Sequence, residues 1–73
     1  MAASTYERIN ALNRKTAKRY AKLSGAALTE ATTFIDRYLN ACRKVGVEVD
    51  LSTIHEILNT AANDRLYFKR LPG

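Results

Sequence analysis

Apolar side chains recur every three or four positions along most of the chain, which is the spacing that places them on one face of an α-helix. The first stripe consists of Ile9, Leu12, Thr16, Tyr20 and Leu23. Ser4 and Glu7 stand before it with the spacing of a capping box, and Gly25 suits the left-handed residue just after a helix. The pattern predicts a first helix over about residues 5–24.

Two further stripes have the same helical spacing. Thr29 is a credible N-cap for a second helix over about residues 29–45, with the stripe Ala31, Phe34, Ile35, Tyr38, Leu39, Cys42 and Val45. Gly46 follows it as a C-terminal signal. A third helix over about residues 52–62 starts from Asp50 or Ser52 and has the stripe Ile54, Ile57, Leu58 and Ala61. The alternating residues near 46–51 predict a short extended connector, too short for an independent sheet.

The last residues, 63–73, do not favour one conformation. Their apolar side chains suit either a last helical turn or an extended arm, and Pro72 ends any helix there. The chain shows no repeat and no linker, and 73 residues make one domain. We therefore expect an all-α protein, a single helical domain over residues 1–73 with three to four helices. A helix-turn-helix arrangement within it is an open alternative.

Composition narrows the setting of this domain. Cys42 is the one cysteine, so no disulfide can form within the chain and packed side chains must supply the stability. No apolar run reaches the roughly 18 residues that a membrane span needs. The first five residues lack the basic and apolar regions of a secretory signal. We expect a soluble, cytoplasmic protein with no membrane partner.

The sequence offers no group of residues suited to catalysis or to metal binding. His55 and Glu56 begin a zinc-protease motif, but Asn59 stands where its second histidine belongs. We therefore expect His55 on a polar helix face and Cys42 in the core. The three glycines are isolated, so there is no glycine-rich phosphate loop. We expect no catalytic residue, no metal and no cofactor, and a function in binding rather than as an enzyme.

The positive charge is concentrated near the start of the chain. The net charge is +5, and residues 1–25 hold six basic residues against one acidic residue. Five of the six form a basic ridge at helical spacing, which consists of Arg14, Lys15, Lys18, Arg19 and Lys22. Arg8 precedes this ridge and joins it as a predicted partner-binding residue. A solvated face is the plain alternative, but the stretch lacks the alternating acids that such faces usually carry.

A basic helical protein of this size calls for a test of helix-turn-helix spacing. Gly25 as the turn residue would make the second helix the reading helix and expose a set of DNA-reading candidates, Thr29, Thr32, Thr33 and Arg37. That helix also carries two acids, Glu30 and Asp36, which phosphate would repel. Non-specific phosphate contact through the basic ridge is therefore the easier mechanism for any nucleic-acid binding.

The end of the chain supplies a second possible contact. Aromatic and basic side chains alternate there, in the set Arg65, Tyr67, Phe68, Lys69 and Arg70. Such residues suit base stacking or docking on a protein, because aromatic and arginine side chains are common interface anchors. The alternative, which the sequence favours equally, is that the apolar members of this set pack on the core.

In size, charge layout and helicity the whole chain resembles small phage-encoded proteins that bind bacterial RNA polymerase and inhibit or modify transcription. The resemblance implies an inhibitor that docks on polymerase in the cytoplasm of a bacterial host cell. The partner would be the polymerase or another acidic protein surface, met by Arg8 and the basic ridge. A helix-turn-helix DNA-binding repressor and a small antitoxin or adaptor are the alternatives, and the pattern leaves monomer or dimer open.

Overall fold

The computed structural model describes residues 3–63, which form four helices. They are α1 (Thr5–Leu12), α2 (Arg14–Ala21), α3 (Gly25–Val45) and α4 (Leu51–Asn63). No strand occurs among these residues, so the all-α prediction is confirmed. The predicted second contact, from Arg65 to Arg70, lies outside the described residues.

The first predicted helix is wrong in one respect, because it is two helices that meet at Asn13. Asn13 is extended, with φ −162° and ψ 119°, and serves both as the C-cap of α1 and as the N-cap of α2. Its side-chain oxygen accepts hydrogen bonds from the Thr16 backbone N–H at 3.0 Å and from the Thr16 hydroxyl at 3.1 Å. An N-cap of this kind satisfies a free N–H at the start of α2, which stabilises the break.

The second predicted helix begins four residues earlier than expected. Gly25, with φ +58°, is the first residue of α3, and Ser24 is its N-cap. Thr29 is not a cap, because its hydroxyl donates to the Gly25 carbonyl inside the helix at 3.3 Å. Gly46 ends α3 in the left-handed conformation at φ +76°, as its sequence position predicted.

Residues 46–50 form the connector to α4 and contain no strand. The Val47 N–H bonds to the Cys42 carbonyl at 3.0 Å, and the Asp50 N–H donates to the Tyr38 hydroxyl at 2.7 Å. Asp50 in turn accepts from the Ser52 N–H at 2.9 Å, which agrees with its predicted place at the start of the third helical segment. These bonds hold the connector against the second half of α3.

The core lies between two helix pairs. α1 packs against α2 and α3 against α4, and α2–α4 and α1–α3 contacts join the pairs. Several alanines are fully buried, which allows close helix approach. The core side chains are Ile9, Ala17, Tyr20, Ala27, Ala31, Ile35, Leu39, Ile54, Leu58 and Ala61. Cys42 is buried, as expected, but Leu12 and Val45 of the predicted stripes are 45% and 70% exposed.

Candidate functional site

The basic ridge occupies the side of α2 that faces away from the core. At about 100° per residue, its five members fall within an arc of about 140°. The buried residues of this helix, Thr16, Ala17 and Tyr20, are centred on the opposite side. The sequence prediction that these charges share one face is therefore consistent with the fold. That face belongs to the short helix α2, because the predicted first helix is broken at Asn13.

Four members of the basic ridge are exposed and make no ion pair within residues 3–63. These free ridge residues are Arg14, Lys15, Lys18 and Lys22. α2 itself contains no carboxylate, so no side chain on the same helix neutralises them. They extend over about 12 Å of helix length. This arrangement leaves four exposed cationic groups without an ion pair among the described residues on one face of α2.

Arg19, the fifth member, is committed to contacts with α4. Its guanidinium donates to His55 Nδ1 at 2.6 Å and also to the Asn59 side-chain oxygen. It therefore joins α2 to α4 through partners that lie 36 and 40 residues further along the chain. The structure assigns Arg19 a role in holding α2 on α4, in addition to its place on the basic ridge.

His55 lies near the start of α4, where it is half-buried at the contact with α2 and its ring bonds to polar side chains of that helix. Because arginine can only donate, Nδ1 accepts from Arg19 and the proton of the neutral ring lies on Nε2. Nε2 then donates to the Thr16 hydroxyl at 2.9 Å, and that hydroxyl donates to Asn13. The network runs from α4 to the junction of α1 and α2. Sequence reasoning missed it, and the helical spacing of His55 and Asn59 was its one signal.

Arg8 is separated from the basic ridge by the break at Asn13 and contacts α3 instead. Its guanidinium donates to the Asn40 side-chain oxygen at 3.0 Å and lies 3.6 Å from Asp36. The Thr5 hydroxyl donates to the same Asp36 carboxylate at 2.7 Å. Arg8 therefore joins α1 to α3, and the structure does not bring it together with α2.

The DNA-reading candidates are divided between the surface and a contact with α2. Thr29, Thr33 and Arg37 are exposed on α3, at successive turns. Thr32 is half-buried, accepts from the Tyr20 hydroxyl at 2.5 Å and donates to the Leu28 carbonyl at 2.7 Å. Thr29 and Thr33 also donate to backbone carbonyls of α3. These three hydroxyl protons are thus engaged within the protein.

An open groove of about 790 Å³ lies between α1, the last turns of α3 and the connector. Its lining combines apolar side chains with two arginines and an asparagine, and includes no carboxylate. The residues that line it are Ala3, Arg8, Leu12, Leu39, Asn40, Cys42, Arg43, Val47 and Val49. We call it the α1–α3 groove. Sequence reasoning missed this site, because it requires α1 to separate from α2 and lie along α3.

Residues 3–63 contain no group of three or more His, Cys, Asp or Glu side chains that could hold a metal ion. None of the four helices is both long enough and apolar enough to cross a membrane. Comparison with protein-family models, with curated proteins and with solved structures found no match.

Proposed function

We propose that this protein is a non-enzymatic regulator that docks on an acidic protein surface through α2. The observation that carries the proposal is the set of free ridge residues. They are exposed, lie opposite the buried face and have no carboxylate partner among residues 3–63. Like charges at this spacing destabilise a helix slightly, and an acidic partner removes that cost.

We propose bacterial RNA polymerase as the partner, with inhibition or modification of transcription as the result. This identity rests on the resemblance of the chain to small phage-encoded polymerase regulators in size, charge layout and helicity. A protein partner is favoured over base-specific DNA reading because the hydroxyls of Thr29, Thr32 and Thr33 are engaged in hydrogen bonds within α3. Arg37 alone would then read bases from that helix.

Binding of the purified protein to nuclease-treated bacterial RNA polymerase tests the proposal. The double variant Lys15→Glu/Lys18→Glu should weaken binding at least about tenfold, because it reverses two adjacent contacts to acidic groups. Arg19 stays intact in this variant, so the α2–α4 contact is preserved. The matched control is Arg37→Glu/Lys44→Glu, two exposed positions on α3 with the same change in net charge.

The control should bind polymerase within about threefold of the original protein, and a run-off transcription assay should follow the same order. Equal loss in both double variants would show a net-charge effect and contradict docking through α2. If the protein does not bind polymerase but retards random-sequence duplex DNA in a gel-shift assay with a steep salt dependence, the proposal is wrong and non-specific phosphate binding takes its place.

A further inference from the structure

We propose that the α1–α3 groove binds an acidic amphipathic segment of the protein partner. This inference rests on the proposed function, to which it adds a second contact of different chemistry. Leu12 and Val47 are 45% and 56% exposed, and both line the groove. Burial of such side chains by a partner releases about 25 cal/mol per Å² of apolar surface. The groove therefore offers apolar anchors that the basic ridge lacks.

The polar groups of the groove indicate the charge of its occupant. Arg43 is exposed and has no ion pair among the described residues, whereas Arg8 is already held by Asp36 and Asn40. The Asn40 side-chain oxygen accepts from Arg8, which leaves its amide N–H groups to donate elsewhere. Arg43 and Asn40 together thus add hydrogen-bond donors to a lining that also contains apolar side chains. A carboxylate next to apolar side chains matches that arrangement.

The last residues of this chain are a poor match for the groove. Residues 64–73 carry three basic side chains, Arg65, Lys69 and Arg70, against one acid. Placing them beside the unpaired Arg43 would bring like charges together, which is unfavourable. α4 also ends near the other end of α3, since Ala62 shares a depression with Ser24 and Ala27. About 24 Å of α3 separates Ala27 from Arg43.

A second copy of the chain is also a poor match. In a two-fold dimer the same patch is used by both copies, so the unpaired Arg43 of each copy would lie in one interface. The groove lining supplies no carboxylate to offset them. Each copy also carries a net charge of +5, which opposes association at low salt. An acidic segment from a different protein meets neither obstacle.

A pair of synthetic peptides probes the groove directly in the full-length protein. The first is a peptide of about 12 residues with leucine at the first, fourth, fifth and eighth positions and glutamate elsewhere, so that its leucines share one face when it is helical. The second carries lysine in place of every glutamate. Titration into ¹⁵N-labelled protein should shift the amides of Leu12, Arg43 and Val47 with the acidic peptide only. Shifts confined to α2, or equal binding of both peptides, would overturn the inference.

Two matched variants then test the groove in polymerase binding. Val47→Glu adds a carboxylate to the lining and should weaken binding at least about tenfold, because it repels the acidic segment. Val45→Glu makes the same substitution at a residue that is 70% exposed and does not line the groove. It should bind within about threefold of the original. Circular dichroism checks that both variants fold.

The two proposals fail separately in this assay. If Lys15→Glu/Lys18→Glu loses polymerase binding and Val47→Glu does not, docking through α2 is supported and the proposal for the α1–α3 groove is wrong. Loss in Val47→Glu alone retains the groove and overturns the α2 contact. Unchanged binding in both variants overturns both, as does the absence of any polymerase binding by the original protein together with the absence of peptide shifts.

Discussion

Asn13 caps the end of α1 and the start of α2, and so lies at the break between these two helices. Replacement by alanine removes the cap of α2 and leaves the buried Thr16 hydroxyl without its acceptor. We expect Asn13→Ala to lower the free energy of unfolding by about 2 kcal/mol. Urea denaturation followed by circular dichroism measures this loss.

Asn13→Asp and Asn10→Ala are the controls for that change. Aspartate keeps an acceptor at the N-terminus of α2, so its effect should stay within about 0.5 kcal/mol. Asn10 is exposed inside α1, whose caps are Ser4 and Asn13, so alanine there should be neutral or slightly stabilising. A loss in Asn10→Ala equal to that in Asn13→Ala would contradict the cap as the cause.

The break at Asn13 was hard to see in the apolar pattern because the stripe continues across it. Ile9 and Thr16 are seven residues apart, which is close to two helical turns, so both are buried whether or not the helix is continuous. The local signal was polar instead, since asparagine is among the preferred N-cap residues. The exposure of Leu12 follows from the same break.

At the scale of helices, neighbouring charges on α2 have different roles. Arg19 donates to His55 and Asn59 on α4, whereas the exposed Lys18 side chain makes no hydrogen bond or ion pair among residues 3–63. We expect Arg19→Ala to lower the free energy of unfolding by about 1 kcal/mol, since two interhelical hydrogen bonds are lost. Lys18→Ala should leave it unchanged or raise it slightly, because it removes like-charge repulsion.

The two substitutions should have the opposite order of effect on polymerase binding. Lys18→Ala should weaken it more than Arg19→Ala does, once both are measured at a temperature where each variant is folded. A thermal melt paired with the binding assay makes the comparison. A Lys18→Ala variant that unfolds more easily than Arg19→Ala would contradict the division of roles.

The sequence was sufficient to place the charges on a helix but not to find the contacts between helices. Helical spacing showed that Lys18 and Arg19 belong to one ridge, because that property depends on neighbours three or four residues away. The contact of Arg19 with His55 depends on how α2 lies on α4, which local spacing does not encode. The α1–α3 groove could not be predicted for the same reason, because it forms where α1 lies beside the end of α3.

At the scale of the whole molecule, the net charge of +5 equals the charge of the basic ridge alone. The other charged residues of the chain therefore cancel, and one face of α2 carries the surplus. Arg8 with Asp36 shows this cancellation directly, as a half-buried pair between α1 and α3. The charge asymmetry is thus a local property of one short helix rather than of the domain.

This asymmetry predicts opposite effects of salt on folding and on binding. Raising the ionic strength from about 0.01 M to about 0.15 M shortens the Debye length from about 30 Å to about 8 Å. Repulsion among the free ridge residues then weakens, so the melting temperature of the free protein should rise. Attraction to an acidic partner weakens as well, so the dissociation constant for polymerase should increase.

In Lys15→Glu/Lys18→Glu both trends should flatten, because opposite charges then alternate along α2. Thermal melts and binding titrations across a salt series measure the two trends, and a melting temperature that falls with salt in the original protein would contradict the unpaired ridge.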